Sequence, residues 1–152
     1  MDNDRYNLLK GKTHEILNEN QGWLFHLEEV AMLCRLIAIK RGLDDEVCRC
    51  AGLLHDIWLA QQTFPLKIGV HEKHGYLGSD VARDILKQNG GYPDEIIDII
   101  CKMIYNHNDK HIVHDEYSEA LKDADVLQHY LNEDAWYGNT RLVRGEKVAK
   151  EL

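Results

Sequence analysis

Proline is scarce in this chain. Only Pro65 and Pro93 occur in 152 residues, so little in the sequence interrupts long helices. Long apolar runs are missing too. None approaches the roughly 20 residues of a membrane span. The polar start Met1-Asp2-Asn3-Asp4-Arg5 leads into no apolar signal core, so the sequence reads as cytoplasmic, with no membrane partner. Positive charge is also in deficit: 18 Lys and Arg stand against 26 Asp and Glu, a formal net charge of -8. Such a surface repels phosphate backbones and argues against a nucleic-acid polymer as partner. It still allows a small phosphate ester held by local cations. Cysteine is limited to Cys34, Cys48, Cys50 and Cys101. Cys48 and Cys50 form C-x-C rather than the C-x-x-C of redox or zinc motifs, and a reducing compartment disfavours disulfides.

What remains is rich in helical signal. A hydrophobic fraction of 44% suffices for one core, and the length suits one domain over residues 1–152. Helical spacing dominates. The pattern predicts a weakly periodic helix from Arg5 to Asn20. A strong one follows over Trp23 to Arg41, with Leu27, Val30, Ala31, Cys34, Ile37 and Ala38 on one face and Gly42 closing it. A third starts at the acidic cap Asp44-Asp45 and runs to Trp58. Residues 59–70, with Pro65 and Gly69, read as a loop and a candidate lid. A fourth helix runs from Glu72 to Gln88. A fifth opens at Pro93 and ends near Asn106, and a sixth spans Tyr117 to Leu131. The tail with Trp136 and Tyr137 carries no clear pattern. Nothing reads as a strand ladder, so the expected fold is all-α.

Histidine is abundant, at nine residues, and several histidines sit where apolar side chains belong. His26 shares a face with Val30, Leu33 and Ile37. His55 follows Val47, Ala51 and Leu54. His74 leads Gly78, Val81 and Ile85. His107 extends the stripe of Ile100, Met103 and Ile104, and Asp125 lies with Leu121, Ala124 and Gln128. A buried, unpartnered carboxylate is costly. Five polar groups aimed inward from five helices therefore imply mutual pairing, and a divalent cation satisfies imidazoles and carboxylates together. His14, His71, His111, His114 and His129 gain no such support, although His111 lies four residues after His107 and is a candidate ligand or phosphate contact.

The segments carrying these residues resemble the HD-domain superfamily of metal-dependent phosphohydrolases. Residues 26–31 read H-L-E-E-V-A, residues 51–57 A-G-L-L-H-D-I, residues 74–82 H-G-Y-L-G-S-D-V-A, and residues 121–127 L-K-D-A-D-V-L. The four segments stand in the family's order and cover about residues 22 to 131. The resemblance implies an all-helical bundle with a buried metal centre. Carried over residue by residue, it implies that His26, His55, Asp56 and Asp125 bind a first metal, with Asp123 as rival for the last role. His74 and His107 match the positions that bind a second metal in some members, Asp56 then bridging the two ions. The departures concern the substrate. Trp58 stands where many members have a small residue, and the lysine that follows there in those members is missing. Gly91-Tyr92-Pro93 reads as a helix start, unrelated to the G-Y-P that marks some members after their H-D pair.

Together these readings predict a metal-dependent phosphohydrolase acting on a phosphomonoester or phosphodiester, a nucleotide foremost. Water activated by the metal would attack phosphorus, with Asp56 as the candidate catalytic residue. One or two divalent ions are expected, Mn²⁺, Fe²⁺, Co²⁺ or Ni²⁺ foremost, with Mg²⁺ and Zn²⁺ open. Lys73, Lys110 and His111 are candidate substrate contacts, Lys67 sits in the candidate lid, and Trp58 or Tyr76 could stack on a base. Two rivals stay open: a di-iron oxygenase on an HD-like fold, and a non-catalytic metal- or nucleotide-binding module.

Overall fold

The computed structural model describes residues 3–133 and 138–152. Among these the chain is helical throughout, with no strand: α1 (Asn3–Ile16), α2 (Gln21–Arg41), α3 (Asp45–Leu54), α4 (Ile57–Ala60), α5 (Val70–Asn89), α6 (Asp94–Asn106), α7 (Glu116–Leu131) and α8 (Asn139–Glu151). Among the described residues no helix is long and apolar enough to cross a membrane.

The helix ends follow from their residues. Asn20 caps α2 by accepting from the Trp23 N–H. Gly42 ends it at φ 72°, a left-handed position where a side chain would be strained. Asp44 accepts from the Glu46 and Val47 N–H groups at the start of α3, and Asp115 does the same for Ser118 in α7. Each cap satisfies a backbone donor that the first turn leaves unpaired. Pro93 stands at the N-cap of α6.

Helix α2 is the spine. It buries Leu24, Leu27, Val30, Ala31, Cys34, Ile37 and Ala38 and packs on α3 and α7, while α5 lies against α6 and α8 against α7. Two close crossings position four of the histidines. At Gly52 a Cβ would stand 2.7 Å from the Ala31 Cα, so α3 meets α2 backbone to backbone. At Gly75 a Cβ would stand 3.0 Å from the carbonyl oxygens of Ile104 and Tyr105, which brings α5 equally close to α6. The first crossing sets His55 beside His26, and the second sets His74 beside His107.

The sequence expectation needs correction in three places. The first helix ends at Ile16 and not at Asn20, which instead caps α2. The third helix does not reach Trp58. It stops at Leu54, and α4 starts afresh after Asp56, whose φ of -111° and ψ of 13° leave the helical region. At the break the His55 Nδ1 donates to the Gly52 carbonyl at 2.7 Å, the acceptor that the Asp56 N–H would use in a continuous helix. The tail also holds a helix, α8, anchored by Val148 in the core; Trp136 and Tyr137 lie outside the described residues.

Candidate metal centre

Asp56, released from the helix by that break, points both carboxylate oxygens into the protein. Oδ2 lies 3.4 Å from His55 Nε2 and 3.5 Å from His26 Nε2. Oδ1 lies 3.2 Å from His74 Nε2 and 3.3 Å from His107 Nε2. Asp125 Oδ1 stands 3.6 Å and 3.7 Å from the Nε2 atoms of His55 and His26. The nitrogens approach one another as well, at 3.2 Å for His26 and His55 and 2.9 Å for His74 and His107. All six side chains named by the helical pattern and the H-D pair thus meet in one cluster, with Asp56 between two halves.

The far side of each imidazole is fixed. His55 Nδ1 faces the Gly52 carbonyl, His107 Nδ1 the Ile104 carbonyl at 2.7 Å, and His74 Nδ1 the His71 carbonyl. His26 Nδ1 faces Gln128 Oε1 at 2.9 Å, and that amide donates onward to Glu29. A neutral imidazole that donates through Nδ1 presents a bare lone pair at Nε2. With all four rings neutral, four such lone pairs would converge with the carboxylate oxygens, and among the described residues Asp56 Oδ1 and Asp125 Oδ1 are buried without a hydrogen-bond partner. Acceptors that face acceptors call for a cation. The spacing agrees: ligand atoms about 2.0–2.2 Å from one ion lie roughly 3–3.5 Å from one another, and the contacts above run from 2.9 to 3.7 Å. His26, His55 and Asp125 form one group that could hold an ion, and His55, Asp56 and His107 form a second.

The protonation equilibria express the same demand for positive charge. Burial opposes ionisation of Asp56 and Asp125. It is outweighed by His55 at Asp56 and by Lys110 and His55 at Asp125, so both stay ionised well below the usual carboxylate range. Burial also opposes charge on His55, yet Asp56 and Asp125 hold it up at about 10. His107, for which burial wins, is pushed down to about 4.

Asp123, the rival for the late ligand, faces elsewhere. It accepts from Arg41 at 2.6 Å and from Arg144 at 2.7 Å. Of the candidate substrate contacts, Lys73 and His111 are exposed and outside the cavity that opens on the cluster. Lys110 turns inward, donating to Asp125 Oδ2 at 2.8 Å and to the His107 carbonyl at 2.6 Å. Trp58 packs against Gly78 of α5, and Tyr76 is exposed and bonded to Asp109; neither lines the cavity.

That cavity has a volume of about 390 Å³. Asp56, His74 and Asp125 are among its polar lining residues, and Trp23, Phe64 and Leu66 among its apolar ones. The expected loop over 59–70 is narrower, at 61–69 between α4 and α5, and it contributes walls to the site. Three further residues were not singled out by the helical pattern. His129 sets Nε2 3.5 Å from Asp125 Oδ1 and its ring centroid 5.1 Å from that of His26. It lies four residues after Asp125, on the same helical face, which is the signal that could have found it. His71 and Arg141 also line the cavity, Arg141 from the tail helix.

The family model for the HD domain matches residues 23–130. The chain belongs to the HD domain family, a superfamily of metal-dependent phosphohydrolases. This HD domain is similar to ribonuclease Y proteins. It is 35% identical over 89 residues to ribonuclease Y of Desulfotalea psychrophila, covering 59% of this chain and 15% of that protein. It is 31% identical over 119 residues to ribonuclease Y of Thermus thermophilus, covering 78% of this chain and 18% of that protein. The chain therefore spans less than a fifth of the length of these relatives. No solved structure matches it. Helix α8, which brings Arg141 to the cavity, lies beyond the matched residues.

Proposed function

We propose that this HD domain is a divalent-metal-dependent phosphohydrolase acting on a small phosphate ester, a nucleotide foremost. The observation that carries this reading is Asp56, a buried carboxylate whose two oxygens face two separate histidine pairs. His26, His55, Asp56 and Asp125 would hold one ion; His74 and His107, with Asp56 shared, would hold a second. A divalent ion bound there would supply Lewis acidity and lower the pKa of water to about 7.

The chain's own groups do the rest. Lys110 neutralises Asp125 Oδ2 and leaves Oδ1 for the cluster. Gln128 orients His26, and the Gly52, His71 and Ile104 carbonyls orient the other three imidazoles. Arg141 gives the cavity a guanidinium suited to phosphate oxygens. In an acidic protein such a local cation must offset the repulsion between the anionic surface and an anionic substrate.

The test is metal analysis by mass spectrometry together with a phosphate-ester panel, on the wild type and Asp56→Ala. We expect Asp56→Ala to lose both metal and activity; equal metal content and equal activity in the two would sink the proposal. His74→Ala and His107→Ala should each lower the stoichiometry from two ions to one, and an unchanged count would leave a one-metal site. Visible absorption after aerobic iron loading, without ester hydrolysis, would favour the oxygenase reading.

The similarity to ribonuclease Y supports a second reading, in which the ester lies in RNA. The net charge of -8 opposes it. An oligoribonucleotide in the panel separates the two: its cleavage in preference to mononucleotides would favour RNA.

A further inference from the structure

The apolar side of the cavity is more than padding. Trp23, in the first turn of α2, has its ring centroid 6.1 Å from that of His26, edge to face. On its other side it meets Phe64 at 6.0 Å with a 37° tilt. Successive ring contacts therefore connect a candidate metal-holding imidazole to the loop of residues 61–69. Leu59 and Leu66 line the same cavity.

Phe64 keeps 52% of its surface exposed. A phenyl ring with only a packing role would gain more by joining the core, since burying such a side chain is worth about 1.5–3 kcal/mol. Here it stands on a loop, half-uncovered, beside a second ring and facing the cavity. Flat π-systems stack on such rings in offset or tilted geometry with centroids about 4.5–7 Å apart. The same cavity is also lined by Asp56, Asp125 and Arg141, groups suited to cations and phosphate. Aromatic and polar groups thus share one cavity of about 390 Å³, so a single ligand can meet both.

We infer that Trp23 and Phe64 form a subsite for a flat unsaturated ring carried next to the phosphate, so that the loop of residues 61–69 sets selectivity among phosphate esters. The subsite rests on the phosphohydrolase reading for its phosphate end. The ring end stands on the aromatic geometry alone. Trp58 and Tyr76, the stacking candidates suggested by sequence, are replaced in this role by residues that do line the cavity.

The test compares adenosine 5′-monophosphate with ribose 5-phosphate, which keeps the phosphate and sugar and lacks the ring. Binding is followed by calorimetry on the full chain with its metal complement. Base–aromatic stacking predicts that the wild type prefers the nucleotide by about tenfold or more. Phe64→Ala, on an exposed loop where folding is not at stake, should bring that preference close to unity, and Phe64→Trp should retain it. For the hydrolytic reaction, Phe64→Ala should raise KM for the nucleotide more than it lowers kcat. Equal affinity for the two ligands in the wild type, no measurable nucleotide binding, or a preference that survives Phe64→Ala would each overturn the subsite. The two readings fail separately. Ring-dependent binding without hydrolysis of any ester would overturn the phosphohydrolase and keep the subsite. Hydrolysis with no ring preference would do the reverse.

Discussion

Lys110 Nζ lies 2.8 Å from Asp125 Oδ2, and both side chains are buried, at 7% and 9% exposure. One carboxylate oxygen is thereby committed to a lysine, while the other, Oδ1, has no hydrogen-bond partner and faces the histidines. In the metal-free protein this lysine is the strongest influence holding Asp125 ionised against burial. Lys110→Met should therefore destabilise the metal-free protein by about 3–5 kcal/mol, the usual cost of leaving one partner of a buried ion pair behind. Urea denaturation in the presence of a chelator measures it. A loss below about 1 kcal/mol would mean that the pair behaves like an exposed one.

Asp123 offers the contrast. Its carboxylate accepts from both Arg41 and Arg144, joining α7 to α2 and α8. Asp123→Asn keeps the shape and removes the charge. It should cost about 1.5–3 kcal/mol, the range for hydrogen bonds to charged groups, and leave metal content unchanged. Asp125→Asn should do the opposite, lowering metal content. Metal lost from Asp123→Asn at full stability would reverse the assignment of the two aspartates.

These two aspartates show what the sequence made legible. Helical spacing put Asp125 on the stripe of Leu121, Ala124 and Gln128, and all of them are buried. The same logic turned His26, His55, His74 and His107 inward, because an imidazole replacing an apolar side chain on a core stripe has only one direction in which to point. Where no helical period applied, the pattern was silent. Lys110 lies in a loop, so nothing in its neighbours told that its ammonium would find Asp125. Phe64 belongs to the cavity through the path of a loop. The break at Asp56 interrupts no apolar stripe, so a hydrophobic pattern cannot register it. Arg141 reaches the cavity on a tail helix that is largely polar and shows no clear apolar stripe.

The pairing of α1 with α2 should depend on pH. His14, in the last turn of α1, meets Glu28 of α2 at 2.7 Å and Glu19 at 3.0 Å, and Lys10 stands 3.4 Å from the same Glu28. Glu28 and then Glu19 raise the His14 pKa above its ordinary value. A raised value means that the folded state binds the proton more tightly than the unfolded chain. The stabilisation is complete below about pH 6.5 and disappears as pH rises through the folded value. His14→Gln should thus lower stability at pH 6 and have little effect at pH 9. The difference should stay under about 1 kcal/mol, because the pair is solvent-screened. Denaturation midpoints of the two proteins at both pH values measure it, and an equal loss at each pH would refute the ionic account.

Gly52 tests whether the crossing of α2 and α3 sets the site. A Cβ there would stand 2.7 Å from Ala31 Cα, 2.8 Å from Ala31 N and 2.9 Å from Val30 C. All three atoms are backbone, so no side chain can rotate aside and the helices must separate. Overpacking of this kind costs about 1–3 kcal/mol or more. The separation would also move His55, whose ring is held by the Gly52 carbonyl, away from His26, now 3.2 Å distant. Gly52→Ala should therefore lower the melting temperature and metal affinity together. Gly11→Ala supplies the control. Gly11 lies inside α1 with nothing within 4 Å of the position a Cβ would take. The same chemical change there should stabilise the protein by about 0.5–1 kcal/mol through helix propensity and leave metal binding alone. If both substitutions stabilised, or if Gly52→Ala kept full metal affinity, the close approach of the two helices would not be what holds His26 and His55 together.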